Sequence, residues 1–378
     1  MITSEIRPLF DLPRDLAYLN CAYMGPMPKH AALEGQNAYD LRQRPWELNI
    51  QENFFDLPEA LRGEAAKPFR TEAKNIALIP AASYGLAVAA RNLPLAAGQE
   101  ILVLDAQFPS NVYVWRDKAA ASNAVVKTVR RSANESWTEA VLGALSAQSG
   151  IVAIPQVHWA DGGTVDLKAV REAADEHGAR LVLDITQSLG ALPFPMAEVR
   201  PDYAVAAGYK WLLGPYTLGY LYVAPEHQGG QPLEAGWIVR EGAEDLTRLA
   251  DYADHYKEGA RRFDMGERSA FQLVRPALTS LRWLNGLGDD LLAGLSARTH
   301  AIEEAVRSLG ARCDTPDRAP HYLCLALPDD APADLAGRLA ARGVSVSQRG
   351  DRLRVTPHLY NDQADIDRFA DALRAELA

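Results

Sequence analysis

The chain has 378 residues, 48% of them hydrophobic and 23% charged, an ordinary globular balance that excludes disorder as the main state. Its 39 Lys and Arg against 49 Asp and Glu leave a formal charge of -10, which argues against nucleic acid or an anionic membrane surface as partner. A local basic pocket for a small anionic ligand stays compatible with that balance. Three cysteines, Cys21, Cys313 and Cys324, are too scattered for a disulfide framework or a zinc cluster and read as reduced thiols in a cytoplasmic protein. The opening MITSEIRPLF has no apolar signal core, so export is not expected. Residues 203–225 approach membrane-spanning length, but Lys210 at their middle and Gly214-Pro215 just after point to a buried core with one functional lysine.

From about residue 75, short apolar runs alternate with amphipathic stretches. The runs are 75–79, 101–104, 125–129, 151–155, 180–184, 203–207 and 218–223. The first five are mostly continuous apolar strings, as expected of parallel strands covered on both faces. Helices are predicted over 83–92, 135–147 and 166–177, the last with Asp166 as N-cap and Gly178 as its stop. This alternation predicts a doubly wound α/β domain, whose ligands bind beyond the carboxyl ends of the strands. After about residue 260 the pattern becomes one long helical stretch over 269–309, strands at 321–327, 344–348 and 353–357, and helices at 332–341 and 363–377. The expected organisation is an N-terminal segment 1–17, a large α/β domain 18–260 and a smaller α+β domain 261–378.

Four strand-end segments carry candidate chemistry. Ala81-Ala82-Ser83-Tyr84-Gly85 follows a strand and opens a helix, where free backbone N–H groups and a hydroxyl make a phosphate site; Ser83 as a plain N-cap is the alternative. Asp184 closes the run RLVLD with Gln187 three residues on, and a buried carboxylate needs a cationic or N–H partner, although capping the next turn would also satisfy it. Lys210 stands alone among apolar neighbours in AAGYKWLLGP. Burial would lower its pKa and free a nucleophilic amine for Schiff-base chemistry, whereas a snorkelling lysine needs no such role. Arg354 in DRLRVTPHLYND has the planar fork for a carboxylate, or it simply faces solvent.

Together these segments resemble the class V aminotransferase group of fold-type I pyridoxal-phosphate enzymes, which includes cysteine desulfurases, kynureninases, epimerase-like proteins and transaminases. The resemblance runs through YLNCAYMGPMP (18–28), LVLDITQSLGALP (181–193), AAGYKWLLGPYTLGYLYV (206–223), RRFDMGERSA (261–270) and LRVTPHLYN (353–361), with Lys210 placed 26 positions after Asp184. It implies a mostly parallel seven-stranded sheet with helices on both faces plus a smaller C-terminal α+β domain. It implies pyridoxal 5'-phosphate as cofactor, held by Lys210 as an aldimine, with Asp184 on the ring nitrogen and Gln187 on the phenolic oxygen. By the same resemblance Ser83 and Tyr84 cradle the phosphate, Tyr209 reaches it, Phe108 stacks on the ring where relatives have histidine, and His158 stands near the phenolic oxygen. Arg354 would grip the α-carboxylate of an amino-acid substrate, with Arg352 as the second candidate. The RFDMGERSA segment implies a homodimer. No cysteine occupies 340–352, where desulfurases carry theirs, so the persulfide route is not expected. A transaminase is the leading expectation; a lyase or epimerase of the same fold, or a non-catalytic relative, are the alternatives.

Overall fold

A computed structural model of the chain describes residues 6–377. Met1 to Glu5, which belong to the segment read above as lacking a signal core, and Ala378 lie outside the described residues.

The strands, in chain order, are β1 (Ala17–Tyr18), β2 (Ile76–Ile79), β3 (Glu100–Leu104), β4 (Val125–Val129), β5 (Ser149–Pro155), β6 (Arg180–Asp184), β7 (Tyr203–Ala207), β8 (Gly219–Val223), β9 (Leu323–Ala326), β10 (Val344–Ser345), β11 (Ser347–Arg349) and β12 (Arg352–Val355). Seven of them form one sheet in the order β2-β8-β7-β6-β5-β3-β4. The pairs from β7 to β4 are parallel, and β8 runs antiparallel to both β7 and β2. The expected seven-stranded, mostly parallel sheet is therefore present, and β8 is its one reversed strand. That reversal matters for the site. The residues leading into β8 reach the same sheet edge at which the other strands end.

Alternation along the strands divides the core into two layers, as strand geometry requires. Leu78, Leu102, Ile154, Leu183 and Tyr220 face one side, with helices α2 (Leu57–Phe69), α5 (Trp137–Ala144) and α6 (Leu167–Glu176). Ile79, Val103, Ala153, Val205 and Leu221 face the other, under α3 (Ala82–Asn92) and α4 (Ser110–Ser122). Asp166 caps α6, its side chain accepting from the N–H groups of Lys168 and Ala169, and Gly178 beyond it has φ +67°, both as the sequence predicts.

The C-terminal part is a three-stranded antiparallel sheet, β11-β12-β9, packed with α9 (Asp290–Val306), α10 (Leu335–Ala341) and α11 (Gln363–Leu377) around a separate core. Packing crosses the expected boundaries at both ends of the large domain. Val274, Ala277, Leu278 and Leu281 of α8 (Phe271–Gly286) are buried in the core of the large sheet, whereas Ala17 and Leu19 are buried in the smaller core, with β1 paired parallel to β10. The single helix expected over 269–309 is two, broken after Gly286 where Gly288 takes φ +55°. Among the described residues, no helix is long and apolar enough to cross a membrane; residues 203–225 hold two strands and the turn between them.

Candidate active site

The carboxyl ends of β2, β3, β5, β6 and β7, with the lead-in to β8, enclose a cavity of about 380 Å³. Each strand delivers its neighbouring loop: Pro80 to Ser83 after β2, Gln107 and Phe108 after β3, Val157 and Trp159 after β5, and Asp184, Thr186 and Gln187 at β6. Tyr209 and Lys210 follow β7, and Tyr216 to Leu218 precede β8.

Lys210 sits in a turn held by close backbone packing. Gly25 donates its N–H to the Tyr209 carbonyl at 2.9 Å, and a Cβ on Gly25 would lie 2.2 Å from the Lys210 carbonyl oxygen, so only glycine admits this approach. The lysine is 7% exposed, and burial lowers its pKa to about 8, against the opposing pull of Asp184. Its Nζ lies 5.2 Å from the centre of the Phe108 ring and 5.7 Å from that of Tyr209. Asp184 is buried, accepts one hydrogen bond from the Thr186 N–H at 3.0 Å, and burial pushes its pKa up. A carboxylate in this position has room for a cationic N–H from the cavity side.

Gln187 is held at both ends of its amide. The Trp211 indole N–H donates to Oε1 at 3.0 Å, and Nε2 donates to the Ala22 carbonyl at 3.1 Å. Oε1 keeps a second lone pair, and Nε2 keeps a second N–H that can donate to a group in the cavity. Gln187 is thus poised for an acceptor oxygen. Beneath it, His321 Nε2 lies 2.8 Å from the Gln187 carbonyl oxygen and its ring stands edge-on to Trp211.

Not all expected site residues meet here. Ser83, Phe108, Asp184, Gln187, Tyr209 and Lys210 line the cavity; Tyr84, His158 and Arg354 do not. The Tyr84 side chain packs against the core beneath α3 with its hydroxyl buried and without a hydrogen-bond partner. His158 turns the opposite way from the cavity, with Nε2 3.1 Å from the Asp105 carbonyl oxygen, Nδ1 3.1 Å from Asp161 Oδ1 and its ring against Trp137. Its ring is tied to these groups, and its neighbour Trp159 takes the place at the cavity wall. Arg354 is 1% exposed and stands just behind that wall. One Nη donates to the Trp159 carbonyl at 3.2 Å and the other to the Ser347 hydroxyl at 3.3 Å, while Nε has no partner. Arg352 is no alternative, because it points outward to Asp314.

Sequence reasoning missed Trp159, Thr186, Tyr216 and Thr217. Thr217 has φ +69°, a strained conformation for a β-branched residue. Thr186 was readable as the residue between Asp184 and Gln187 on the same turn, and its hydroxyl accepts from the Ala207 N–H at 3.1 Å, linking β6 to the lysine turn.

The donor set fits the cofactor that the sequence resemblance implies. The first turn of α3 has no side-chain cap and opens on the cavity beside Ser83, which suits a phosphate. Buried Asp184 suits a protonated ring nitrogen, Gln187 a phenolic oxygen, and Lys210 an aldehyde.

The family model for aminotransferase class-V matches residues 48–369. An uncharacterized aminotransferase of Bacillus subtilis, YcbU, is 26% identical over 84% of this chain and 83% of its own length. A kynureninase of Deinococcus radiodurans is 27% identical over 71% of this chain and 65% of its own. Two solved structures of C-DES share the fold. One, with glycine covalently linked to its pyridoxal-phosphate cofactor, superposes with a TM-score of 0.88 at 19% identity, over 97% of this chain and 98% of that one. The other, described as the cystine C–S lyase with its reaction product cysteine persulfide, gives 0.86 at 19% identity, over 95% and 97%. With a match over most of its length, the chain belongs to the class V aminotransferase family, whose members use pyridoxal phosphate.

Proposed function

We propose that this protein moves the amino group of an amino acid to a 2-oxoacid, with pyridoxal phosphate held by Lys210. One observation carries the reading: among the described residues no histidine, cysteine or second lysine lines the cavity, so Lys210 is the one side chain there suited to take and return a proton near neutrality. Bound in the cavity, pyridoxal phosphate supplies an electron sink for the bond broken at the substrate Cα.

The chain's own residues do the rest. Asp184 would keep a proton on the ring nitrogen, Gln187 would donate to the ring oxygen, and the start of α3 with Ser83 would hold the phosphate. Phe108 offers a face for the ring and exchanges no protons. Arg354, whose fork has only neutral acceptors at 3.2 and 3.3 Å, would orient the substrate by its α-carboxylate. Lys210 then returns the proton on the face from which it took it. Epimerisation by two bases would need a second proton carrier on the opposite face; besides Asp184, which would serve the ring nitrogen, the described cavity residues offer for this only the phenols of Tyr209 and Tyr216, and burial raises that of Tyr209 further from neutrality. The persulfide route lacks its cysteine: β11 and β12 are joined by the tight turn Gly350-Asp351, and burial pushes the thiol of Cys324, opposite Arg354, up to about 12. We also take the chain to act as a homodimer.

The test is an amino-acid and 2-oxoacid panel with 15N-labelled donors. Label recovered in a new amino acid supports transfer; label released as ammonia makes the protein a lyase. Lys210→Ala should abolish turnover while the far-ultraviolet circular dichroism stays unchanged.

A further inference from the structure

Many buried or half-buried arginines in this protein are answered by acids or by sets of carbonyls. Arg7 pairs with Asp365, Arg62 with Asp264, Arg171 with Asp202 and Arg261 with Glu59, and Arg298 donates to three backbone carbonyls at 2.8 to 2.9 Å. Arg240, Arg262 and Arg368 have no acid partner among the described residues, and neither do two arginines beside the cavity. Arg354 meets only the neutral acceptors described above. Arg349 is half-buried, its Nη1 donates to the carbonyl of its own neighbour Gln348 at 2.8 Å, its Nε is buried without a partner, and no carboxylate of the described residues lies within salt-bridge distance.

The fold brings these two guanidinium groups to one place. In the β11–β12 hairpin Ser347 is opposite Arg354 and Arg349 is opposite Arg352, so Arg349 and Arg354 are diagonal neighbours on one sheet face, a spacing long side chains bridge. Arg352 leaves that face for Asp314. Arg349 lies over the Trp159 ring, 5.3 Å from its centre. Trp159 in turn lines the cavity, meets Phe108 edge-on at 5.5 Å, and accepts Arg354 on its carbonyl. Both guanidinium charges help to lower the Lys210 pKa, and among the described residues Asp184 is the only carboxylate that lines the cavity. Lys210 thus lines the space that holds this one fixed negative charge, while Arg349 and Arg354 stand behind Trp159, each with an Nε that has no partner.

We propose that Arg349 reads a second acid group on the substrate, so that the cavity prefers amino acids with an acidic side chain. The inference rests on the reading above in assigning the α-carboxylate to Arg354; the distal carboxylate then completes the donors of Arg349. Removal of a guanidinium that meets a carboxylate by charge-assisted hydrogen bonds discriminates strongly, because one charged group is left without its partner.

The experiment compares wild type, Arg349→Gln and Arg349→Lys in the cofactor-loaded protein, by turnover and by calorimetric binding of unreactive acids. For wild type, aspartate or glutamate should exceed alanine and norvaline in kcat/KM, and succinate or glutarate should bind more tightly than butyrate. Arg349→Gln should lower kcat/KM for the acidic amino acids at least about tenfold and weaken the diacid equally, with neutral amino acids and butyrate within about twofold. Arg349→Lys, which keeps the charge without the fork, should fall between. Equal losses for acidic and neutral substrates, or diacids that bind no better than butyrate, would overturn the proposal. Diacid binding that depends on Arg349 without any amino transfer would leave this subsite standing and remove the proposed reaction. Transfer confined to neutral amino acids would do the reverse.

Discussion

Lys210 owes its suitability to burial more than to any neighbour. An ordinary lysine stays mostly ammonium up to about pH 10, but here the pKa is lowered to about 8, so a free amine is present at modest alkalinity. In the apoprotein, capture of pyridoxal phosphate followed by borohydride reduction should label Lys210 at a rate that climbs to about pH 8 and then levels. Labelling of Lys168 or Lys257, or a rate still rising past pH 10, would remove the assignment. The folded value lies below the unfolded one, so between about pH 8 and the ordinary value the unfolded chain holds more protons, and this residue's contribution to stability rises with pH across that window. Gln187 makes a second test at this scale. Trp211→Phe removes the donor to Oε1, leaving a buried acceptor unpaired and the amide free to turn. A stability loss of about 1–3 kcal/mol follows. The measurement specific to positioning is the pH titration of the bound cofactor's absorbance, which should shift in Trp211→Phe; a lower melting point with an unmoved titration would reduce Trp211 to packing.

At the scale of elements, the segment 259–268 is fastened to the large sheet by one carboxylate. Asp264 accepts from the Leu78 N–H at 2.8 Å and from both Nη groups of Arg62 at 3.0 and 2.7 Å, with Arg268 Nε 3.4 Å away. The Met265 N–H returns to the Leu78 carbonyl at 2.8 Å. Asp264→Ala strands two buried guanidinium groups and should destabilise the fold by about 3–5 kcal/mol, measured by urea unfolding; a loss under about 1 kcal/mol would mean that water or Glu59 takes over. The residues that make this clamp were visible as RRFDMGERSA, but their partners were not, because Arg62 and Leu78 lie about two hundred positions away. The same distinction governs what was legible elsewhere. Continuous apolar runs such as RLVLD and YAVAA marked strands at 180–184 and 203–207, and their ends located Asp184 and Lys210. The reversed direction of β8 was not legible, since its burial on both faces matches that of a parallel strand. Nor could the sequence say which of His158 and Trp159 enters the cavity. That choice is made by Trp137, Asp161 and the Asp105 carbonyl, which claim the imidazole, and by the Ala106 carbonyl, which accepts the Trp159 indole N–H at 2.7 Å.

For the molecule as a whole, the mouth of the cavity is where exposed aromatic side chains gather. Tyr23 is 59% exposed, Tyr216 62% and Phe108 38%, and they stand close together: Gly25 ties the Tyr23–Met24 turn to Tyr209, whose ring packs on Tyr216 at 4.6 Å, while Phe108 shares the cavity with both. Aromatic groups gathered around a functional opening mark a surface that another surface covers. A second copy of the chain is the occupant that the proposed homodimer requires, and it would close the cavity against water as the reaction needs. Sedimentation equilibrium should therefore give twice the chain mass at micromolar concentration. Tyr216→Asp places a charge at the mouth without touching Lys210, Asp184 or Gln187, and should shift the equilibrium toward monomer by at least about tenfold in Kd, because a desolvated carboxylate costs several kcal/mol when it has no partner. Activity should fall with dilution in this variant and recover as concentration is raised. A wild-type protein that sediments as a monomer at full activity would show instead that one chain suffices and that the exposed aromatics meet the substrate alone.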